Sequence, residues 1–218
     1  MSTPLLPQAF YFRLAMPCVR VEDIPRAGAR LLDLPGACTL AEFSGLDGVP
    51  PWAEVRAGWN PGGLGFSFEV GGKLSPIIHD PRQPDASDGV DLWIDTRDTR
   101  NAHRATRFCH HFRLLLIPGK GEPSVQVAQP KIHRAQADAP TAMAGEVRAV
   151  AQKLRKGYRL EVFFPASTLG GLDPETNRRL GFAYRVTDPD RGDQFLAVGH
   201  GFPLAEDPSL WSTLELRG

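Results

Sequence analysis

The chain has no surplus of either charge: its 218 residues carry 25 Lys and Arg against 25 Asp and Glu. A nucleic-acid binder ordinarily needs a basic excess to exchange for counterions, so neither DNA nor RNA is an expected partner. Cysteine is scarce. Cys18, Cys38 and Cys109 cannot all pair within one chain, and no CxxC or Cys/His spacing marks structural zinc. The N-terminus lacks a basic region followed by an unbroken apolar run, because Arg13 interrupts the one candidate. No stretch approaches the roughly 18 to 20 apolar residues of a membrane helix. The expectation is a cytoplasmic protein with no membrane partner. Helical periodicity is almost missing, and so are compact catalytic signatures: G-x-S-x-G, H-E-x-x-H, the P-loop and G-x-G-x-x-G do not occur.

What the sequence does have is alternation. Hydrophobic residues make up 42% of it, enough for one sizeable core. A strand is expected over Phe10 to Val21. Residues 52–60 and 63–73 read as a hairpin across Pro61-Gly62-Gly63, with Leu64, Phe66, Phe68 and Val70 inward and Ser67 and Glu69 opposite. Residues 146–154 and 158–166 read as a second hairpin around Arg155-Lys156-Gly157. Residues 179–188 bury Leu180, Phe182, Tyr184 and Val186, and strands are expected at 125–129, in FLAVG and in LWSTLELR. A short helix or helical turn is expected in ASTLGGLDPET. Short alternating strands, Gly/Pro turns and the lack of a composition shift predict an all-β, single-domain antiparallel β-sandwich over residues 1–218.

The central stretch, residues 88–117, is a strand, a charged turn and a returning strand. Val90, Leu92 and Ile94 alternate with Asp91, Trp93 and Asp95, and His110, Phe112, Leu114 and Leu116 alternate with Cys109, His111, Arg113 and Leu115. Asp95 is expected to be held by Arg97 and Arg100 of the turn. If the strands share a sheet, Glu69, Asp91, Trp93, His111, Glu161 and Arg185 lie on one surface. A flat ring among charged hydrogen-bonding groups is what a sugar site needs. Trp93 is the expected floor, with Trp59 at the rim and Trp211 in the core. A solvated outer face with cross-strand ion pairs accounts for the same pattern.

Other chemistries remain open. Glu69 and Glu161 could serve as the acid and base of a glycosidase, provided their separation is right. His110 and His111 are adjacent on a strand, so they point to opposite faces and cannot readily share a metal. Asp188, Asp190 and Asp193 alternate as an irregular calcium loop might, although calcium wants six to eight oxygens and Asx turns explain the same residues. A structural or protein-interaction domain without a small ligand is the third reading.

The order of motifs over residues 50–218 resembles the family 9 carbohydrate-binding modules of the DOMON-like group. It runs WAEVRAGWNPGGLGFSFEV, an acidic loop, DGVDLWIDTRD, GYRLEVFFPASTLGG, RLGFAYRVTDPD and LWSTLELRG. The resemblance implies a sandwich of about ten strands with little helix. It also implies calcium in some members and a sugar or oligosaccharide held by aromatic rings, without catalysis. Residues 1–50 stand outside it as an N-terminal extension.

Overall fold

The structure is a computed structural model describing residues 6–12, 14–28 and 30–218. Eleven strands account for the regular structure: β1 (Ala15–Arg20), β2 (Ala53–Asn60), β3 (Gly63–Gly71), β4 (Gly89–Asp95), β5 (Cys109–Ile117), β6 (Ser124–Ala128), β7 (Arg148–Leu154), β8 (Gly157–Pro165), β9 (Arg179–Asp188), β10 (Gly192–Phe195) and β11 (Ser212–Arg217). Helix is confined, among the described residues, to short 3-10 turns such as Ala166–Thr168. None is long and apolar enough to cross a membrane.

All eleven strands belong to one hydrogen-bonded sheet, ordered β6-β5-β4-β9-β11-β1-β2-β3-β8-β7, with β10 on the edge of β9 beyond the end of β11. The sheet curls until its end strands β6 and β7 meet. Strands far apart in that order therefore face one another across a common core. Phe66 of β3 stacks on Phe182 of β9 at 5.0 Å, and Phe112 of β5 meets Phe164 of β8 at 4.5 Å. The residues expected inward on β3, β4, β8 and β9 are there: Leu64, Phe68, Leu92, Leu160 and Val186 are wholly buried.

Three expectations need correction. The sheet is not purely antiparallel, because β1 runs parallel to both its neighbours, β11 and β2. Alternation records which face a residue takes, not the direction of the next strand. The strand expected over Phe10 to Val21 begins only at Ala15; Gln8–Tyr11 form a 3-10 turn, and Arg13 lies outside the described residues. FLAVG is likewise not a strand beyond Phe195, where β10 ends.

The outward face of the sheet is not bare. Over β3 and β8, residues Ile24, Leu31, Leu32 and Leu34 pack down on Phe163 as a small second core. Gly58 and Gly65, paired across β2 and β3, make room for this cover. A Cβ on either would lie 2.9 Å from a methyl of Leu34 or Leu32 respectively, closer than packed carbons approach. Over β4, β5 and β9, Ile132, Val198 and Leu204 cover Trp93, Cys109, Ala183 and Trp211. The polar face expected from alternation is thus divided into two covered territories.

Candidate functional site

Register builds the site. Asp91 on β4 sits directly between Arg113 on β5 and Arg185 on β9, and the next outward position on β4, Trp93, sits between His111 and Ala183. Three neighbouring strands thus set two cationic arms around one carboxylate, with an indole beside an imidazole. Asp91 is 4% exposed and accepts hydrogen bonds from His111 Nε2 at 2.7 Å, Arg113 Nε at 2.8 Å and Arg185 Nη2 at 2.6 Å. Burial alone would raise its pKa. The His111 hydrogen bond and the Arg185 and Arg113 groups outweigh that and hold the carboxyl well below the usual carboxylate range. In return, Asp91 and Asp85 outweigh the burial of Arg185 and hold its guanidinium firmly protonated.

Above this row lies a cleft of about 330 Å³. Its floor is Trp93, His111, Arg113 and Arg185, and its walls come from Asp85, from Phe195 at the end of β10, and from His200, Phe202 and Leu204 in the segment between β10 and β11. Asp85, exposed at the mouth, accepts from Arg113 Nη2 at 2.8 Å and from Arg185 Nη2 at 2.6 Å. Asp193 accepts from Thr187 Oγ1 at 2.7 Å and pairs with His200 Nε2 at 2.8 Å. Phe195 and His200 meet edge to face at 5.0 Å. The cleft therefore offers fixed donors, exposed acceptors and aromatic edges, the mixture that binds hydroxyls and C–H faces together.

Of the residues selected from sequence, Trp93, His111, Asp91 and Arg185 come together here. Trp93 is not an open floor, however. It is 3% exposed, and one face is covered by the His111 ring at 4.8 Å and 15°. Its Nε1 donor is buried without a partner among the described residues. Trp59 is no rim: it is fully buried in the main core, its Nε1 donating to the Arg217 carbonyl at 3.0 Å. A β-strand residue before a turn still takes the face its register dictates, and here that face is inward. Trp211 lies under the cover of the outer face, as a buried residue.

Glu69 and Glu161 lie in the other territory, in a small hollow shared with Arg30, Asp33, Arg56 and Arg159. Glu161 is 3% exposed and its carboxylate accepts from the backbone N–H groups of Leu31, Leu32 and Asp33 at 2.7, 3.1 and 3.2 Å. Glu69 takes both a 2.6 Å and a 3.0 Å hydrogen bond from Arg159, its cross-strand partner. One acid clamps the cover and the other is ion-paired, so both carboxylates in this hollow are already engaged.

The acidic loop does not fit calcium. Asp188 and Asp190 face the ammonium of Lys73, at 3.2 and 3.7 Å, whereas Asp193 turns to Thr187 and His200. The three carboxylates do not converge, and a fixed cation already lies between two of them. His110 and His111 do point to opposite faces, one into the main core and one into the cleft. Asp95 is held by backbone rather than by guanidinium groups, accepting from the N–H of Arg97 at 2.9 Å and of Thr99 at 2.6 Å. Arg100 and Arg179 pair instead with Asp98.

Sequence reasoning missed Arg113, Asp85, His200, Phe195 and Phe202, and it offered Asp193 only as a calcium ligand. Arg113 follows His111 by two and could have been found from the period alone. Phe195 ends strand β10, whereas Asp85, His200 and Phe202 reach the cleft through loops whose path no local pattern encodes.

No family model matches the sequence, and no curated protein matches it. Solved structures similar to the fold include two carbohydrate-binding modules. One is a family 9 carbohydrate-binding module from Caldicellulosiruptor kristjanssonii in complex with cellotriose, at 15% identity over 94% of each chain and a TM-score of 0.64. The other is a family 9 module from the same organism in complex with glucose, at 18% identity over 76% of each chain and a TM-score of 0.56. The chain has the fold of the family 9 carbohydrate-binding modules.

Proposed function

We propose that this chain is a non-catalytic carbohydrate-binding protein that takes a small sugar or oligosaccharide in the cleft above Asp91, on a sheet folded as a flattened sandwich. One observation carries the reading. Arg113 and Arg185 are locked from below by Asp91 and bridged at the mouth by Asp85, beside the rings of Phe195, His200 and Phe202. The guanidinium groups present donors to sugar hydroxyls in an orientation already fixed, which lowers the entropy lost on binding. Asp85 supplies an acceptor, and the ring edges meet the sugar's C–H groups. The fold shared with modules solved in complex with glucose and cellotriose supports the same ligand class. A partly open cleft of this kind suits affinities of millimolar to micromolar, about −4 to −8 kcal/mol.

Calorimetric titration with a panel of neutral mono- and oligosaccharides tests the proposal. Asp85→Ala and Phe202→Ala should each weaken the best ligand about tenfold, roughly 1.4 kcal/mol, with no turnover of the sugar. Absence of any binder at about 10 mM, well beyond the weak end of that range, would overturn it.

A further inference from the structure

The three exposed aromatic side chains among the described residues are consecutive: Phe10, Tyr11 and Phe12, at 39%, 67% and 51%. With Leu14 they place four of the nine exposed large apolar residues within a span of five, a patch rather than scatter. Contiguous exposed apolar surface ordinarily marks an interaction site. This patch is joined to the cleft. Phe202, which lines the cleft wall, stacks on Phe10 with ring centres 4.9 Å apart and planes at 20°. Phe10 in turn meets Tyr11 edge to face at 6.0 Å. The 3-10 turn Gln8–Tyr11 holds the rings in place, with Phe10 N–H donating to the Pro7 carbonyl at 3.1 Å. A row of aromatic rings thus leads from the cleft wall outward onto the N-terminal extension.

The cleft itself is short. At about 330 Å³ it lies at the small end of the roughly 300 to 1,000 Å³ typical of ligand pockets. A longer saccharide seated there must leave it, and the Phe202–Phe10–Tyr11 side offers rings against which its next units can stack. We infer that residues 10–12 form an outer subsite, so that the cleft and the N-terminal segment together select an oligosaccharide over a single sugar. This inference rests on the sugar reading of the cleft. It assigns a binding role to a segment that lies before the sequence motifs of residues 50–218 that carry the family resemblance.

The test is length dependence of binding by the full chain. Wild type is titrated with glucose, cellotriose and cellopentaose, and with the matching short and long members of any other series that binds in the panel. The oligosaccharides are expected to bind at least about tenfold tighter than the single sugar, a difference of 1.4 kcal/mol. The double variant Tyr11→Ala, Phe12→Ala should lose that preference while keeping the monosaccharide affinity and the melting temperature of wild type. Phe202→Ala should weaken both lengths. If the double variant keeps the full length preference, the outer subsite is wrong and the cleft stands. If the single sugar binds but longer ones bind no tighter, the inference fails in the same way. If no saccharide binds, the sugar reading fails and the inference with it. If wild type sediments as a dimer and the double variant as a monomer, the patch is a surface for a second copy of the chain, and the outer subsite is overturned.

Discussion

The Lys73 ammonium, on a side chain 3% exposed, lies 2.9 Å from Asp88 Oδ1 and 3.2 Å from Asp188 Oδ1, both on side chains that are 0% exposed. Burial by itself would lower the Lys73 pKa, but the hydrogen bonds and charges of Asp88 and Asp188 outweigh it and the net direction is upward. The charge is therefore retained. Asp88 also accepts from the Ile78 N–H, and Asp190 accepts from Ser75, so one buried cation pins both ends of the loop that carries Asp85 to the cleft. Lys73→Met would leave two buried carboxylates facing each other. Breaking a buried pair on one side costs about 3 to 5 kcal/mol, and denaturant unfolding at neutral pH should show that loss. A chelator should leave the wild-type melt unchanged. A wild-type chain that loses stability in chelator would mean a metal ion shares the cage with the lysine.

Glu161 gives the second prediction. Its carboxylate gathers the N–H groups of Leu31, Leu32 and Asp33 and so fixes the cover over Phe163. Glu161→Gln removes the charge and turns an amide donor toward donors. Hydrogen bonds to a charged group contribute about 1.5 to 3 kcal/mol, so the variant should lose about 2 to 3 kcal/mol in unfolding while its saccharide affinity stays at the wild-type value. The opposite pattern, intact stability with lost binding or lost glycoside turnover, would return Glu161 to a functional site.

Faces were legible in the sequence; neighbours were less so. The period of two placed Phe66, Leu92, Phe112 and Phe182 inward and Asp91, Trp93 and Arg185 outward, because any register compatible with a core must do so. The row Arg113–Asp91–Arg185 was half legible, since its members show the right phase but only the pairing of β5, β4 and β9 makes them adjacent. Glu161 and Trp93 show where the reading ran out. Outward was taken to mean exposed, yet Leu31, Leu32 and their neighbours cover one, and Ile132, Val198 and Leu204 cover the other. Such covers are held by long-range contacts between loops, and loops carry no periodicity to announce them. The parallel strand β1 was hidden for a similar reason: six residues alternate alike whichever way their neighbours run.

His110 gives the last prediction, on pH. It is wholly buried on the core side of β5, its ring parallel to that of Phe112 at 6.2 Å. Burial pulls its pKa from 6.5 down to about 4, only partly opposed by the Gly170 carbonyl 3.5 Å from Nε2. Nδ1 has no partner among the described residues. The folded protein thus keeps this imidazole neutral while an unfolded chain, with an ordinary histidine pKa near 6.5, takes up a proton. Between those two values the unfolded state binds more protons, so stability rises with pH. The contribution is complete above about pH 6.5, falls as the pH drops, and levels off below about 4. The full change is about 3 kcal/mol, the gap between 6.5 and about 4 at about 1.36 kcal/mol for each pH unit. His110→Phe removes the titrating group and keeps an aromatic ring beside Phe112. Subtracting the stability profile of the variant from that of wild type cancels the other ionisable groups. The difference should be flat above about pH 6.5 and should fall by up to about 3 kcal/mol on going down to pH 4. A difference curve with no slope across that window would show that His110 is protonated equally in both states, and that its burial does not keep it neutral.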